Sequence, residues 1–397
     1  MIKKIINLEN LIYLIILALP LYLVKIKIYS VPTNWFEILV GLTLFFWIIK
    51  KSRLVNLKKF IKNYKKYIIC VSLIFIGLLM ATFLNREYAI GLGIIKSWFL
   101  IPIILMLIIV TTFPSKKMIN VFITFYGSSF FVAGIALNYL ISGKLTYDGR
   151  LEAFFNSPNY LAMYLAPALI IALVVVLKNK TREQKNNLIL KSIMALSLVI
   201  ILIVFYFTYS YAAWLSVILA VLATLLIEKK ISLKEIFLIV VLFIFMFFSQ
   251  WKSGKLNNLV TLNPRSSLAS RIIIWRSAEK ILENNWIFGI GPGNFQKVYL
   301  SYQKFYPPYL EWAVPHPHNL YLSFWLYGGL LSFLGFIGLL FFWFRDILVK
   351  IKTSHKAVLL ITIGIMTITL VHGLVDTTYF KNDLAVIFWL NFLALKL

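Results

Sequence analysis

The sequence predicts an all-α membrane protein, formed by a single integral membrane domain (1–397) of about twelve transmembrane helices. Hydrophobic residues make up 61% of the 397 residues, and charged residues make up only 14%. A soluble domain could not bury so large an apolar fraction in its core. The apolar stretches are continuous and do not alternate with polar residues, which indicates helices and excludes the strands of a membrane barrel.

Twelve apolar stretches are long enough to cross the hydrocarbon layer. They are expected near residues 7–24, 33–50, 67–84, 94–113, 118–141, 159–177, 188–208, 211–228, 233–250, 319–344, 356–375 and 381–396. Lys3 and Lys4 resemble the basic start of a signal peptide, but no small-residue cleavage site follows, so we expect a retained anchor. The one cysteine, Cys70, lies in the third span, which leaves neither a disulfide framework nor a cysteine metal cluster.

Positive charge in the short loops predicts the orientation of the chain. Lysine and arginine residues gather after the second, fourth, sixth, eighth and tenth spans, as in the segment 51–66. Loops of this kind face the cytoplasm, so both termini are expected there. The net charge of +26 is then explained by topology and by attraction to anionic membrane lipids, and nucleic-acid binding is not expected.

The longest segment predicted to face outward, 251–318, lies between the ninth and tenth spans and is expected to form an extracytoplasmic helical cap. Ser267 or Ser270 is expected to cap a helix that runs to about Asn284. Arg271 and Trp275 share one face of this helix. Because no acid lies three or four residues after Arg271, its guanidinium is the best candidate to hold a ligand's negative charge.

A histidine-containing stretch, Pro315-His316-Pro317-His318-Asn319, closes the cap. His318 is expected to begin the tenth span, where the positive end of the helix dipole disfavours imidazolium and leaves a neutral base. An arginine can bind phosphate through paired, charge-assisted bonds, and a neutral histidine can take a proton from a sugar hydroxyl. The pairing suits a lipid pyrophosphate donor. The alternative is that both histidines only hydrogen-bond to the loop at the membrane interface.

Two further motifs have competing interpretations. His372 and Asp376 lie four residues apart at the outward end of the eleventh span, where they are expected on one helix face. Such a pair can line an acceptor cleft, or it can simply tie helices together. Gly289, Gly291 and Gly293 lack the Lys-Ser/Thr of a nucleotide loop and are interpreted as loop-shaping glycines.

These motifs together resemble the O-antigen ligase and polymerase superfamily of bacterial membrane proteins. The resemblance is carried by Ser270-Arg271, Trp275, Gly289-Ile290-Gly291-Pro292-Gly293-Asn294-Phe295, His316-Pro317-His318-Asn319-Leu320-Tyr321 and Gly328-Gly329. A second match lies upstream, at Gly149-Arg150-Leu151 and Phe155-Asn156-Ser157-Pro158-Asn159. The order of these elements and the twelve-span layout agree over nearly the whole chain.

The resemblance implies a metal-independent, inverting glycosyltransferase of the GT-C type in the bacterial inner membrane, with no cofactor. Such an enzyme moves a glycan as one block from undecaprenyl pyrophosphate to an acceptor hydroxyl on a lipid or glycan, on the extracytoplasmic face. By position, His318 corresponds to the family's catalytic histidine and Arg271 to a pyrophosphate-binding arginine. The substrate-binding residues expected around them are Arg150, Tyr211, Arg265, His316, Asn319, Trp275, His372 and Asp376.

One position departs from the family pattern. Where the family has an arginine at the start of the eighth span, this chain has Tyr211 in the run Ser210-Tyr211-Ala212-Ala213-Trp214. A phenol can donate one hydrogen bond to phosphate, but it supplies no charge and no bidentate fork. Either Arg150 or Arg265 is therefore expected to compensate, or the activity is altered.

Alternatives to the ligase prediction differ in acceptor or in class. A polymerase would use a second lipid-linked repeat as the acceptor, and the cap with its His-Pro-His-Asn stretch favours a ligase only slightly. A twelve-span transporter or flippase would place its polar site near mid-membrane, whereas the polar residues here gather in the cap. Tyr211 also leaves open an inactive, glycan-binding relative.

Overall fold

The order of helices follows the apolar stretches of the sequence, in a computed structural model that describes residues 7–28, 31–178, 188–229, 232–251, 254–261, 263, 266–307, 313–351 and 356–397. The helices of the first half are α1 (Leu8–Leu17), α2 (Trp35–Ile48), α3 (Lys51–Asn63), α4 (Lys65–Leu84), α5 (Tyr88–Ile94), α6 (Ile101–Thr112), α7 (Met118–Ile141) and α8 (Pro158–Lys178). Those of the second half are α9 (Leu188–Phe207), α10 (Tyr211–Glu228), α11 (Leu233–Phe248), α12 (Gly254–Val260), α13 (Ser267–Asn285), α14 (Phe295–Tyr302), α15 (Leu320–Lys350), α16 (Lys356–His372) and α17 (Asn382–Leu390).

The predicted multi-pass helical architecture is confirmed. Six helical stretches among the described residues are long and apolar enough to cross a membrane, namely Lys65–Leu84, Tyr88–Thr112, Ser115–Ile141, Pro158–Leu177, Tyr211–Glu228 and Leu320–Lys350. Four shorter apolar helices accompany them, at Leu8–Leu17, Trp35–Ile48, Ser192–Phe207 and Lys356–His372. The chain is therefore a multi-pass membrane protein, and the number twelve stays a prediction.

Three local features were not predicted from the sequence, and one of them is not helical. An antiparallel hairpin of β1 (Lys25–Ile28) and β2 (Val31–Asn34) follows α1. Its first strand alternates lysine and isoleucine, the period that a two-faced strand requires. The basic segment after α2 forms helix α3, and a turn of π-helix, Ile95–Leu100, joins α5 to α6.

The segment predicted to be the cap contains α12, α13 and α14. The cap of its main helix is Ser266, one residue before Ser267 and four before Ser270, because the Ser266 side chain accepts a hydrogen bond from the Ala269 amide. Ser267 and Ser270 are thus helical residues and not caps. The position of this segment relative to the membrane stays a prediction.

Helices α4 and α15 approach each other closely at glycines. A Cβ atom on Gly77 would lie 2.3 Å from the Gly328 carbonyl oxygen, and one on Gly335 would lie 2.6 Å from the Cys70 carbonyl oxygen. Small residues permit this backbone contact, which favours association of helices in a membrane.

Helix α15 is broken at Gly328-Gly329, and the glycine-rich loop 289–293 packs into the break. Gly329 has φ 64° and ψ −164°, a conformation open essentially to glycine alone. The Ile290 amide donates to the Leu326 carbonyl at 2.7 Å, and the Leu330 amide donates to the Ile287 carbonyl at 3.0 Å. The loop thus supplies the hydrogen bonds that the helix loses, in agreement with the interpretation of these glycines as loop-shaping.

We expect Gly329→Ala to lower the free energy of unfolding by about 3 kcal/mol or more, since it adds backbone strain to a steric clash. A Cβ atom at this position would lie 2.1 Å from the Ile287 carbonyl oxygen. Thermal unfolding in detergent measures the effect. Gly41→Ala in α2 is the matched control, because its Cβ would meet nothing within 4 Å. Equal melting temperatures for the two variants would contradict the role given to the break.

Candidate active site

The carboxylate of Asp376 lies at the centre of the candidate site. It is nearly inaccessible to solvent and follows α16 in the turn before α17. Oδ2 accepts hydrogen bonds from Arg271 Nη2 at 3.2 Å and from Asn159 Nδ2 at 2.8 Å. Oδ1 accepts from His318 Nδ1 at 3.0 Å and from the Thr377 amide at 2.9 Å. One buried carboxylate therefore joins α8, α13 and the start of α15.

Burial by itself would raise the pKa of Asp376, but its partners outweigh this effect. The attraction and hydrogen bond of His318, with the attraction of Arg271, hold the pKa well below its ordinary value. The group is therefore ionised at neutral pH. An ionised carboxylate can only accept hydrogen bonds, so the proton between Asp376 and His318 resides on His318 Nδ1.

With Nδ1 donating to Asp376, Nε2 is the ring nitrogen that can act as the base. None of the described residues hydrogen-bonds Nε2, and 33% of the side chain is exposed. The backbone holds the ring in place, since the His318 carbonyl accepts from Trp275 Nε1 at 3.2 Å. His318 has φ 47°, in the left-handed region that a histidine seldom adopts. Such strain concentrates at functional sites.

The prediction that His318 begins the tenth span is wrong, because His318 lies just before that helix. Asn319 is the cap of α15, because its side-chain oxygen accepts from the Tyr321 and Leu322 amides at 3.0 Å. Its Nδ2 donates to the Leu374 carbonyl at 2.9 Å. Asn319 therefore holds the segment that carries His318 in place. A contact of Asn319 with substrate stays a prediction.

Arg271 has an acidic partner that its own helix does not supply. Its pairing with Asp376 comes from an element distant in the sequence, and Nη1 makes only a long bond, 3.5 Å, to the Ser267 carbonyl. Its Nε is buried without a hydrogen-bond partner among the described residues. The side chain is 18% exposed. Donors therefore remain for an anion.

Arg150 reaches the same site from the loop before α8. Nη2 donates to Asn159 Oδ1 at 2.7 Å, and Nε donates to the Thr208 carbonyl at 2.9 Å. Burial lowers the pKa of Arg150; Asp148 opposes this effect, and the nearby charge of Arg271 adds to it. Arg150 thus reaches Asp376 through Asn159, while its own acidic neighbour is Asp148, whose Oδ2 lies 3.9 Å from Nη1.

Tyr211 lies three residues after Thr208, whose carbonyl accepts the hydrogen bond from Arg150 Nε. It begins α10, and its ring packs edge-on against Trp214 and Phe247, with centroids 5.4 Å apart in both contacts. The charge of Arg150 interacts with Tyr211 as well as with Asp376. Of the two arginines expected to compensate for Tyr211, Arg150 is thus in reach, and Arg265 lies outside the described residues.

His316 is packed among aromatic rings and is not an exposed interfacial residue. Its Nδ1 is 2.6 Å from the Tyr327 hydroxyl, and its ring lies within 6.4 Å of those of Trp98 and Phe380. Burial, with a contribution from His318, lowers the pKa of His316 to about 3. Its ring is therefore neutral at physiological pH.

The prediction that His372 and Asp376 share a helix face is wrong. Helix α16 ends at His372, and the chain turns so that the Asp376 amide donates to the His372 carbonyl at 3.0 Å. Gly373, directly after the helix, permits this turn, since a Cβ atom there would lie 2.6 Å from the Thr369 carbonyl oxygen. Both ring nitrogens of His372 are buried without a hydrogen-bond partner among the described residues.

Asn159 is the contact that sequence reasoning missed. It connects Arg150 to Asp376, yet in the sequence it is only the last residue of the upstream match. That match was the signal that could have identified Asn159. Its amide can accept a hydrogen bond from one charged partner and donate one to the other at the same time.

Comparison with known proteins relates part of the chain to one family. A comparison with curated proteins found no match. The family model described as O-antigen ligase matches residues 196–337, which include Arg271 and His318. The match confirms the predicted resemblance of this region of the chain to the O-antigen ligase and polymerase superfamily.

Proposed function

We propose that the protein is a GT-C-type glycosyltransferase that moves a glycan from undecaprenyl pyrophosphate to an acceptor hydroxyl. The observation that carries the proposal is the sharing of the Asp376 carboxylate by Arg271 and His318. A site that binds a phosphate and deprotonates a hydroxyl needs a cation and a neutral base side by side. The resemblance supports the extracytoplasmic face of the bacterial inner membrane as its location.

In the proposed step, His318 Nε2 accepts the proton of the acceptor hydroxyl as its oxygen attacks the anomeric carbon. The new glycosidic C–O bond forms while the bond from that carbon to the pyrophosphate oxygen breaks, so the configuration inverts. Asp376 stabilises the imidazolium that results. Arg271, together with Arg150, neutralises the charge that builds up on the leaving pyrophosphate.

Purified protein given a lipid-linked glycan and a candidate acceptor tests the proposal. New glycosidic bonds should form, and they should form equally in EDTA if no metal takes part. A lipid A–core acceptor would identify a ligase, whereas a second undecaprenyl-linked repeat would identify a polymerase. Sealed vesicles separate transfer from transport, because a flippase would move the substrate across the membrane without forming a bond. Absence of transfer with every such acceptor would contradict the proposal.

Arg150 is expected to supply the charge that Tyr211 lacks. We expect Arg150→Gln to raise the KM for the donor about tenfold, since a charge-assisted bond to phosphate is lost. Adding Tyr211→Arg to this variant should restore part of the affinity. Arg345→Gln, at the other end of α15, is the control, because its partner Asp346 is remote from the site. An unchanged KM in Arg150→Gln would remove Arg150 from the donor site.

A further inference from the structure

A cavity of about 670 Å³ lies beside the β-hairpin and meets the candidate active site where Trp98 contacts His316. It is lined by Lys25 and Lys27 of the hairpin, by Trp98 of the π-helical turn and by Lys381 before α17. The Trp98 and His316 rings are in contact, with centroids 5.7 Å apart. Turns of π-helix occur frequently at functional sites.

The ammonium group of Lys381 indicates that this cavity is a binding site. Its Nζ is buried and has no hydrogen-bond partner among the described residues. It lies 3.4 Å from the centroid of the Tyr160 ring. The ring face attracts a cation but does not replace the hydrogen bonds that a buried ammonium loses. An anion in the adjoining cavity would supply them.

The remaining charges of the cavity favour an anion. Glu37 is the one acid among the described lining residues, and it is already bonded. Lys96 Nζ lies 2.7 Å from its Oε2, and the Ser97 hydroxyl donates to its Oε1 at 2.5 Å. Lys25 and Lys27 therefore have no free acidic partner in the described lining, whereas Lys381 is attracted by Asp383 and Asp376 from outside it.

Part of the cavity wall is apolar. Ile26, Ile90 and Ile94 line it, and Gly93 leaves open space beside them. A cationic rim beside an aliphatic wall suits an amphiphile with an anionic head and a hydrocarbon tail. A free sugar would leave this wall unused.

We propose that this cavity binds the phosphate-bearing end of a lipid-linked acceptor, separately from the donor site at Arg271. The inference rests on the proposed function and adds the class of acceptor to it. The donor's leaving group is assigned to Arg271 and Arg150, so the cations of the cavity are available to a second anion. An acceptor held there would have its head beside Trp98 and His316, next to the site of attack.

Native mass spectrometry of the intact protein with farnesyl phosphate, a short polyprenyl phosphate, tests this inference. Wild type should bind two molecules. Lys381→Met, which removes only the charge, should weaken one of them about tenfold. Gly93→Leu should abolish the same one by filling the cavity, and Arg271→Ala should remove the other. Lys116→Met, in the exposed turn between α6 and α7, is the matched control for the lost lysine.

The outcomes separate the two proposals. Two sites with the expected variant effects support the cavity even if no transfer is found with any acceptor. Loss of the same single molecule in Lys381→Met and Arg271→Ala would overturn the separate acceptor site, although transfer itself could still occur. Equal competition by inorganic phosphate and by farnesyl phosphate would overturn the lipid assignment, and unchanged binding in both Lys381→Met and Gly93→Leu would overturn the cavity altogether.

Discussion

His318→Asn is expected to lower the rate of glycan transfer by about 10²–10⁴-fold, the usual contribution of a general base. Asparagine suits the left-handed backbone at this position better than alanine, and its amide can still donate to Asp376. The variant therefore keeps the local fold and removes the nitrogen that takes the proton. The loss should fall on kcat and leave the KM for the donor nearly unchanged, because Arg271 is intact.

Single-turnover kinetics with a labelled lipid-linked glycan measures this loss, and direct donor binding provides the control. His318→Ala serves as a second variant, which should lose the same activity and also some stability. Transfer by His318→Asn within about threefold of wild type would exclude a proton-accepting role, since general-base catalysis contributes far more than that.

The sequence was sufficient to predict the fold class and two residues of the candidate site, Arg271 and His318. Continuous apolar runs predict membrane helices because the bilayer demands internal backbone hydrogen bonding. The helix that carries Arg271 was predicted from its serines and the glycine-rich stretch after it, and the pairing of Arg271 with His318 from their chemistry and the family resemblance. The centre of the site did not, because the partners of Asp376 lie 58, 105 and 217 residues away in the sequence. Local pattern cannot specify contacts that only tertiary packing brings together.

Small local features were also beyond the sequence. The expectation that His372 and Asp376 share a face assumed that α16 continues, whereas it ends at His372. The same assumption of a continuous helix would miss the break at Gly329, whose freed backbone groups bond to a loop forty residues earlier in the chain.

Asp376→Asn is expected to have the second large effect, a loss of transfer of about 10²–10⁴-fold together with lower stability. An amide at this position no longer fixes the proton on His318 Nδ1, so the wrong tautomer becomes accessible, and it no longer stabilises the imidazolium. Arg271 loses its buried counter-ion as well. Removing one partner from a buried charge pair costs about 3–5 kcal/mol.

The dependence of stability on pH distinguishes this role from simple packing. Because the folded-state pKa of Asp376 lies below its ordinary value, the ionised carboxylate stabilises the wild type above about pH 4. That contribution is lost as the pH falls through the folded-state pKa, whereas Asp376→Asn lacks it at every pH. The difference in melting temperature between the two proteins should therefore narrow on acidification. The conservative variant Asp376→Glu should keep part of the difference and part of the activity. A difference that stayed constant down to low pH would show that the carboxylate stabilises the fold through its shape alone. The hydrogen bonds that it shares with Arg271 and His318 would then contribute no electrostatic stabilisation.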